Sequence, residues 1–168
     1  MNLGQGSGVK GQGYRQLLAW QRAHELALAV FRVTQSLPPA QAWLRSQCSR
    51  AAVSVPANIA EGYSRGSARE YVYFLNVARG SLAEVEYYLL FMRGSGLLDC
   101  GTTEELEAVQ RDAAGLLFGL IRALQSQDSR RPRSAARTGD LRALYDTATD
   151  DPALTLDPVT LDPNAEVP

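Results

Sequence analysis

Residues able to do chemistry are few in this chain. It contains one histidine, His24, and two cysteines, Cys48 and Cys100. A His/Cys metal centre needs several such ligands at short spacing, so no metal and no cofactor are expected. His24 stands between Trp20 and Leu28 on an apolar helical face, a setting for a packed or interface histidine rather than a general base. Glu84 and Glu86, two residues apart on a helix, point in different directions and cannot work as a pair. Glu61, at a helix end, suits backbone or arginine contacts. The Glu-x-x-His pairs of helical di-metal proteins are missing, as are a GxxxxGK[ST] loop and a GxGxxG that follows a strand. The chain is therefore expected not to be an enzyme.

The remaining chemical resource is arginine. The formal net charge is -1, from 17 Lys and Arg against 18 Asp and Glu, but the charge is unevenly placed. Residues 10–93 carry +5, residues 94–128 carry -4, residues 129–139 carry +4 and residues 140–168 carry -6. A basic first half can attract phosphate, while an acidic tail either stays solvated or competes for the same surface. An excess of +5 is also compatible with an ordinary soluble face. Arg50, Arg65 and Arg69 are the first phosphate candidates because they are expected to surround one interhelical turn, with Arg22, Arg45 and Arg79 second.

The elements that position these groups are helical. Helical periodicity dominates from Tyr14 to about Ser126, and no alternating apolar and polar run argues for a strand. Helices are expected over 14–36, ending at Leu37-Pro38-Pro39; over 40–61, stopping at Gly62; from a Ser67 cap to Gly94-Ser95-Gly96; and from Thr102 or Thr103 to about Ser126. Pro56 should kink or interrupt the second helix, with Asn58 bonding the backbone groups it frees. Gly62 and Gly66 would permit the turn into the third. Short links make this an all-α, antiparallel up-down four-helix bundle over 14–128. Residues 1–13, Gly-rich and polar, read as flexible. Residues 129–168, Arg-rich and then acidic with a repeated Thr-Leu-Asp-Pro, read as a disordered tail. No apolar run reaches a membrane span and the N-terminus has no apolar leader core, so a cytoplasmic protein is expected.

Two helices carry more apolar surface than a four-helix monomer requires. In the third, Tyr71, Leu75, Ala78, Leu82, Val85, Leu89 and Met92 form one heptad seam, and Tyr73, Asn76, Gly80, Ala83, Tyr87 and Phe91 form a second on nearly the opposite face. In the first, Ala23, Leu26, Val30, Val33 and Leu37 form one stripe, while Leu17, Trp20, His24, Ala27 or Leu28, and Phe31 form another. Surplus stripes imply either a homo-oligomer or an enlarged internal core, and the aromatic content favours the oligomer. The expected interface residues are Trp20, His24, Phe31, Tyr73, Gly80, Tyr87 and Phe91. Gly80 is costly in a helix interior unless another helix approaches closely.

The stretch Arg50-Ala51-Ala52-Val53-Ser54-Val55-Pro56-Ala57-Asn58-Ile59-Ala60-Glu61-Gly62-Tyr63-Ser64-Arg65-Gly66-Ser67 resembles the signature of the bacterial four-helix-bundle family that includes the 23S ribosomal RNA intervening-sequence protein. Tyr14-Arg15-Gln16-Leu17 and Ala19-Trp20-Gln21-Arg22-Ala23 upstream, and Glu70-Tyr71 with Phe74 to Glu86 downstream, extend the likeness over about residues 14–125. The resemblance implies an up-down bundle that associates as a homopentamer with a basic surface for RNA. It also implies kinship with the accessory variability determinant of diversity-generating retroelements, and so a reverse transcriptase as a partner. This chain departs from that pattern in having Lys10 as its only lysine and in its acidic tail. The alternative is a protein-only oligomeric scaffold that recruits a protein partner.

Overall fold

The computed structural model describes residues 13–130, with side chains through 126. A 3₁₀ turn at Gly13–Gln16 leads into α1 (Leu18–Gln35), and a second at Pro39–Gln41 precedes α2 (Ala42–Ser64). After these come α3 (Ala68–Gly94) and α4 (Cys100–Arg130). No strand occurs among the described residues. Each helix packs on its neighbour in sequence and α1 closes the ring on α4, making an all-α four-helix bundle. The expected flexible N-terminus and disordered tail lie outside the described residues, except that Gly13 is in the first turn and residues 129 and 130 continue α4.

Side-chain contacts fix the direction of the first three helices. Thr34, near the end of α1, sits 3.1 Å from the Ser49 hydroxyl near the start of α2, while Tyr14 meets Tyr63 at the opposite end. Trp43 packs on Phe91, and the Ser81 hydroxyl donates to Ser54 at 3.0 Å, so α2 and α3 are also antiparallel. Five residues separate α3 from α4, whose Glu107 pairs with Arg93 in the last turn of α3 at 3.0 Å. Since α4 packs along both α3 and α1, it runs back toward the end where α1 begins.

The core follows from the sequence pattern. All seven residues of the first α3 seam are buried, alongside Leu26 and Val30 of α1, Leu44, Val55 and Ile59 of α2, and Leu117 of α4. Each large apolar side chain removed from water contributes on the order of 1.5–3 kcal/mol. The ends are set by local hydrogen bonds. Ser67 caps α3, its hydroxyl accepting from the Glu70 N–H at 3.2 Å and donating to the Glu70 carboxylate at 2.7 Å. Gly96, at φ 70°, closes α3: its N–H reaches the Arg93 carbonyl and the Leu97 N–H reaches that of Met92. Asp99 caps α4 earlier than the expected threonines, accepting from the Thr102 N–H at 2.9 Å.

Helix α2 departs from its expected form in three ways. It runs unbroken through Pro56 and ends at Ser64, past the Gly62 stop. Gly62 is a buried helical residue whose missing Cβ makes room for α3: an added Cβ would lie 2.7 Å from Tyr71 Cδ2 and 2.8 Å from Phe74 Cβ. Gly66 has open space around it, so no steric demand holds glycine there. Finally, Pro56 deprives the Ala52 carbonyl of its helical partner, yet the Asn58 amide donates to the Ser54 carbonyl at 2.7 Å and to the Ser54 hydroxyl at 2.9 Å. Asn58 therefore extends a polar chain through Ser54 to Ser81, tying α2 to α3, rather than repairing the bond removed by Pro56.

Candidate nucleic-acid interface

One end of the bundle gathers basic and aromatic side chains. It is built from the 13–16 turn, the last turn of α2 and the first turns of α3. Arg65 leaves α2 in an extended conformation, its N–H still bonded to the Gly62 carbonyl. Its guanidinium pairs with Glu61 and lies 4.9 Å above the Phe74 ring. Arg69 is exposed one turn further along α3. Arg15 reaches the same end because Tyr14, with the Arg15 guanidinium 6.0 Å from its ring, stacks edge-on against Tyr63 at 6.3 Å. Tyr73, 64% exposed, lies edge-on to Phe74 at 5.4 Å. Exposed guanidinium groups beside an exposed ring can bind phosphate and stack a base. The Arg65–Glu61 pair is half in water and holds Arg65 only weakly against a phosphate.

The six expected arginines do not form one surface. Arg50 lies in the middle of α2, bonded to Gln47 at 3.0 Å; fifteen residues of helix place it roughly 22 Å from Arg65 along the axis. The expected cluster of Arg50, Arg65 and Arg69 at the turn is therefore a pair, which Arg15 joins. Arg22 pairs with Glu25 at 2.6 Å. Its guanidinium is held above its ordinary value first by that hydrogen bond and then by the Glu25 charge, with Asp112 of α4 adding to it, so it belongs to the α1–α4 side. Arg45 is half-buried on α2, and Arg79 is exposed on α3 two heptads before Arg93, the residue that reaches α4. Arg15 escaped the sequence reading because only the folding back of Tyr14 on Tyr63 reveals its neighbours.

The second α3 seam is solvent-facing. Tyr87 is 60% exposed, Phe91 is partly exposed, and no atom lies within 4 Å of a Cβ added to Gly80. Trp43, 57% exposed and 6.2 Å from Phe91, enlarges this face from α2. The sequence signal for Trp43 was its place just off the α2 core stripe, beside Leu44. On α1, Phe31 and Leu28 are exposed, but Trp20 is half-buried with its ring 5.1 Å from Tyr14, and His24 stacks flat on Trp20 at 5.0 Å. Trp20 and His24 thus already have partners inside the subunit.

Among the described residues, no three His, Cys, Asp or Glu side chains come together in a metal-binding group. Cys48 is enclosed in the core, where burial pushes its thiol up to about 12. Cys100 opens α4 and is exposed. No described helix is long and apolar enough to cross a membrane.

A ring-packed helical bundle with a basic, aromatic end and a solvent-facing aromatic helix defines the class of protein. A family model described as 23S rRNA-intervening sequence protein matches residues 15–119, and the chain belongs to that family. A similar solved structure is a crystal structure of a protein of unknown function from the S23 ribosomal protein family of Bacteroides thetaiotaomicron. It is 21% identical, covers 62% of this chain and 96% of its own, and superposes with a TM-score of 0.59, a likeness of fold. No curated protein matches this sequence.

Proposed function

We propose that this protein is a non-enzymatic homo-oligomer that binds RNA at the end of the bundle bearing Arg15, Arg65 and Arg69. The observation that carries the reading is that Arg15, Arg65 and Arg69 lie at the bundle end that also bears the exposed ring of Tyr73. Assembly supports it by repetition, because several weakly basic ends on one particle bind a polyanion with avidity that a single end lacks. Exposed apolar side chains include Leu28 and Phe31 on α1 and Trp43, Tyr87 and Phe91 on α2–α3, with Phe118 on α4 exposed as well, and α1 and α3 occupy opposite corners of the bundle. Two different patches suit a heterologous contact, which closes into a ring when the rotation allows; the family resemblance suggests five subunits. A reverse transcriptase is the partner which that resemblance suggests for the RNA-bound form.

The test is fluorescence anisotropy with a structured RNA over a salt series. Affinity should fall by about 0.7–0.9 log units per neutralised phosphate for each tenfold rise in salt. Arg65→Gln with Arg69→Gln should flatten that slope by about two contacts, while Arg79→Gln leaves it alone. Unchanged affinity in an intact oligomer of the double variant sinks the reading. The competing reading is a protein-only scaffold. It draws on the pairing of Arg65 with Glu61 and of Arg22 with Glu25, and on the Trp43–Phe91 surface as a protein contact.

A further inference from the structure

The basic end of the bundle has a neighbour that the helices themselves deliver. Because α4 runs back along α3, its last described residue, Arg130, leaves the bundle at the end where the chain enters at Gly13 and α2 turns into α3. The chain then continues through residues 131–139, basic and free of acids, into residues 140–168, which hold seven carboxylates and one arginine. Nine residues span at most about 30 Å, and neighbouring helix axes in a bundle stand about 8–10 Å apart. Every arginine at that end is within reach of the acidic segment.

We infer that residues 140–168 dock on the end of the bundle formed by Arg15, Arg65 and Arg69, so that an RNA must displace the protein's own acidic segment. The inference rests on the reading of that end as an anion-binding surface. Three features favour this occupant. Its charge of -6 is opposite in sign to Arg15, Arg65 and Arg69, which outnumber Glu61 and Glu70 at that end. Covalent attachment keeps it at an effective concentration in the millimolar range, enough for individually weak carboxylate–guanidinium contacts to persist. Last, Glu61, the only carboxylate among the described residues that pairs with an arginine there, is half exposed, so a tail carboxylate or a phosphate can share or replace it without desolvating a buried charge. The paired signs along the chain, +4 and then -6, thus have distinct roles. The basic run spans the distance to that end, and the acidic run occupies the surface there when no polyanion is present.

The experiment uses the full chain without RNA. In a Cys100→Ser background, Ala153→Cys supplies a thiol in the acidic segment for a benzophenone cross-linker, and the cross-linked peptides are identified by mass spectrometry. Cross-links should concentrate on residues 13–16 and 63–74. They should disappear in 1 M salt, in the Arg65→Gln/Arg69→Gln variant, and in a full chain whose seven tail carboxylates are converted to amides. Cross-links spread evenly over the helices, confined to residues 129–139, or indifferent to salt would overturn docking. In a separate arm, the amide-tail chain should bind single-stranded RNA roughly tenfold more tightly than wild type at 50 mM salt, with the gap closing near 0.5 M. Docking without that gain contradicts the competition while leaving the contact standing. RNA affinity that is absent in both chains, with cross-links present, instead rejects the RNA reading.

Discussion

Two glycines on adjacent helices, one buried and one exposed, should respond to the same substitution with opposite signs. In a helix interior, Gly→Ala stabilises by about 1 kcal/mol, mainly by restricting the unfolded chain. Gly80 should show that gain in the isolated subunit, because nothing lies within 4 Å of the added methyl. At Gly62 the methyl would stand 2.7 Å from Tyr71 Cδ2 and 2.8 Å from Phe74 Cβ. Unstrained carbon contacts need about 3.5–4.0 Å, so α2 and α3 must separate by roughly 1 Å. Phe74 Cβ is anchored directly to the α3 backbone and cannot rotate away. Overpacking of this kind costs about 1–3 kcal/mol, which leaves Gly62→Ala less stable than wild type by about 1 kcal/mol net. Urea unfolding followed by helical circular dichroism reads both. With a slope of about 1–2 kcal/mol per molar urea, the midpoint should fall by roughly 0.5–1 M for Gly62→Ala and rise by a similar amount for Gly80→Ala at low protein concentration. If Gly62→Ala stabilised as much as Gly80→Ala, the close approach of α2 to α3 would be refuted. If the gain at Gly80 reverses as protein concentration rises, a second subunit lies against it.

Other outcomes follow from the caps and thiols. Ser67→Ala removes the acceptor for the Glu70 N–H and should cost about 1 kcal/mol, seen as a fall of about 4 °C in melting temperature. The Asp99 carboxyl is lowered below its usual range by the Thr102 backbone N–H and then by the Thr102 hydroxyl, so its contribution is complete above its unfolded value and is lost as pH falls through the lowered folded value. Asp99→Asn should therefore flatten the acid limb of a stability profile below about pH 4, and an unchanged limb would contradict the cap. An aromatic disulfide reagent at pH 8 should modify Cys100 promptly and Cys48 only upon unfolding, since burial holds the Cys48 thiol up at about 12. Two fast thiols would disprove an enclosed Cys48.

The bundle was readable in the sequence where periodicity alone decides structure. The seven-residue α3 seam is buried at every position, and Ser67 and Glu70 form the capping pair their spacing announces. Misplaced features depended on tertiary contacts. Gly62 looked like a helix stop by conformational preference, but the rings of Tyr71 and Phe74 require a missing Cβ inside a continuing helix. Arg50 is expected at the turn with Arg65, but an unbroken α2 carries it roughly 22 Å away along the axis. Conversely, Arg15 approaches the candidate site only through the stacking of Tyr14 on Tyr63, a contact between residues 49 positions apart. Trp20 and His24, expected at an interface from their apolar stripe, are partly exposed and stack on each other within the subunit, a contact that periodicity alone does not show.

The most direct test of the central claim is light scattering of the full chain, with and without a structured RNA, across a salt series. An oligomer whose mass increases with RNA at low salt and returns to its RNA-free value as salt rises is the predicted result. An oligomer of unchanged mass at every salt concentration would contradict RNA binding, and a monomer would contradict assembly through the exposed α3 face.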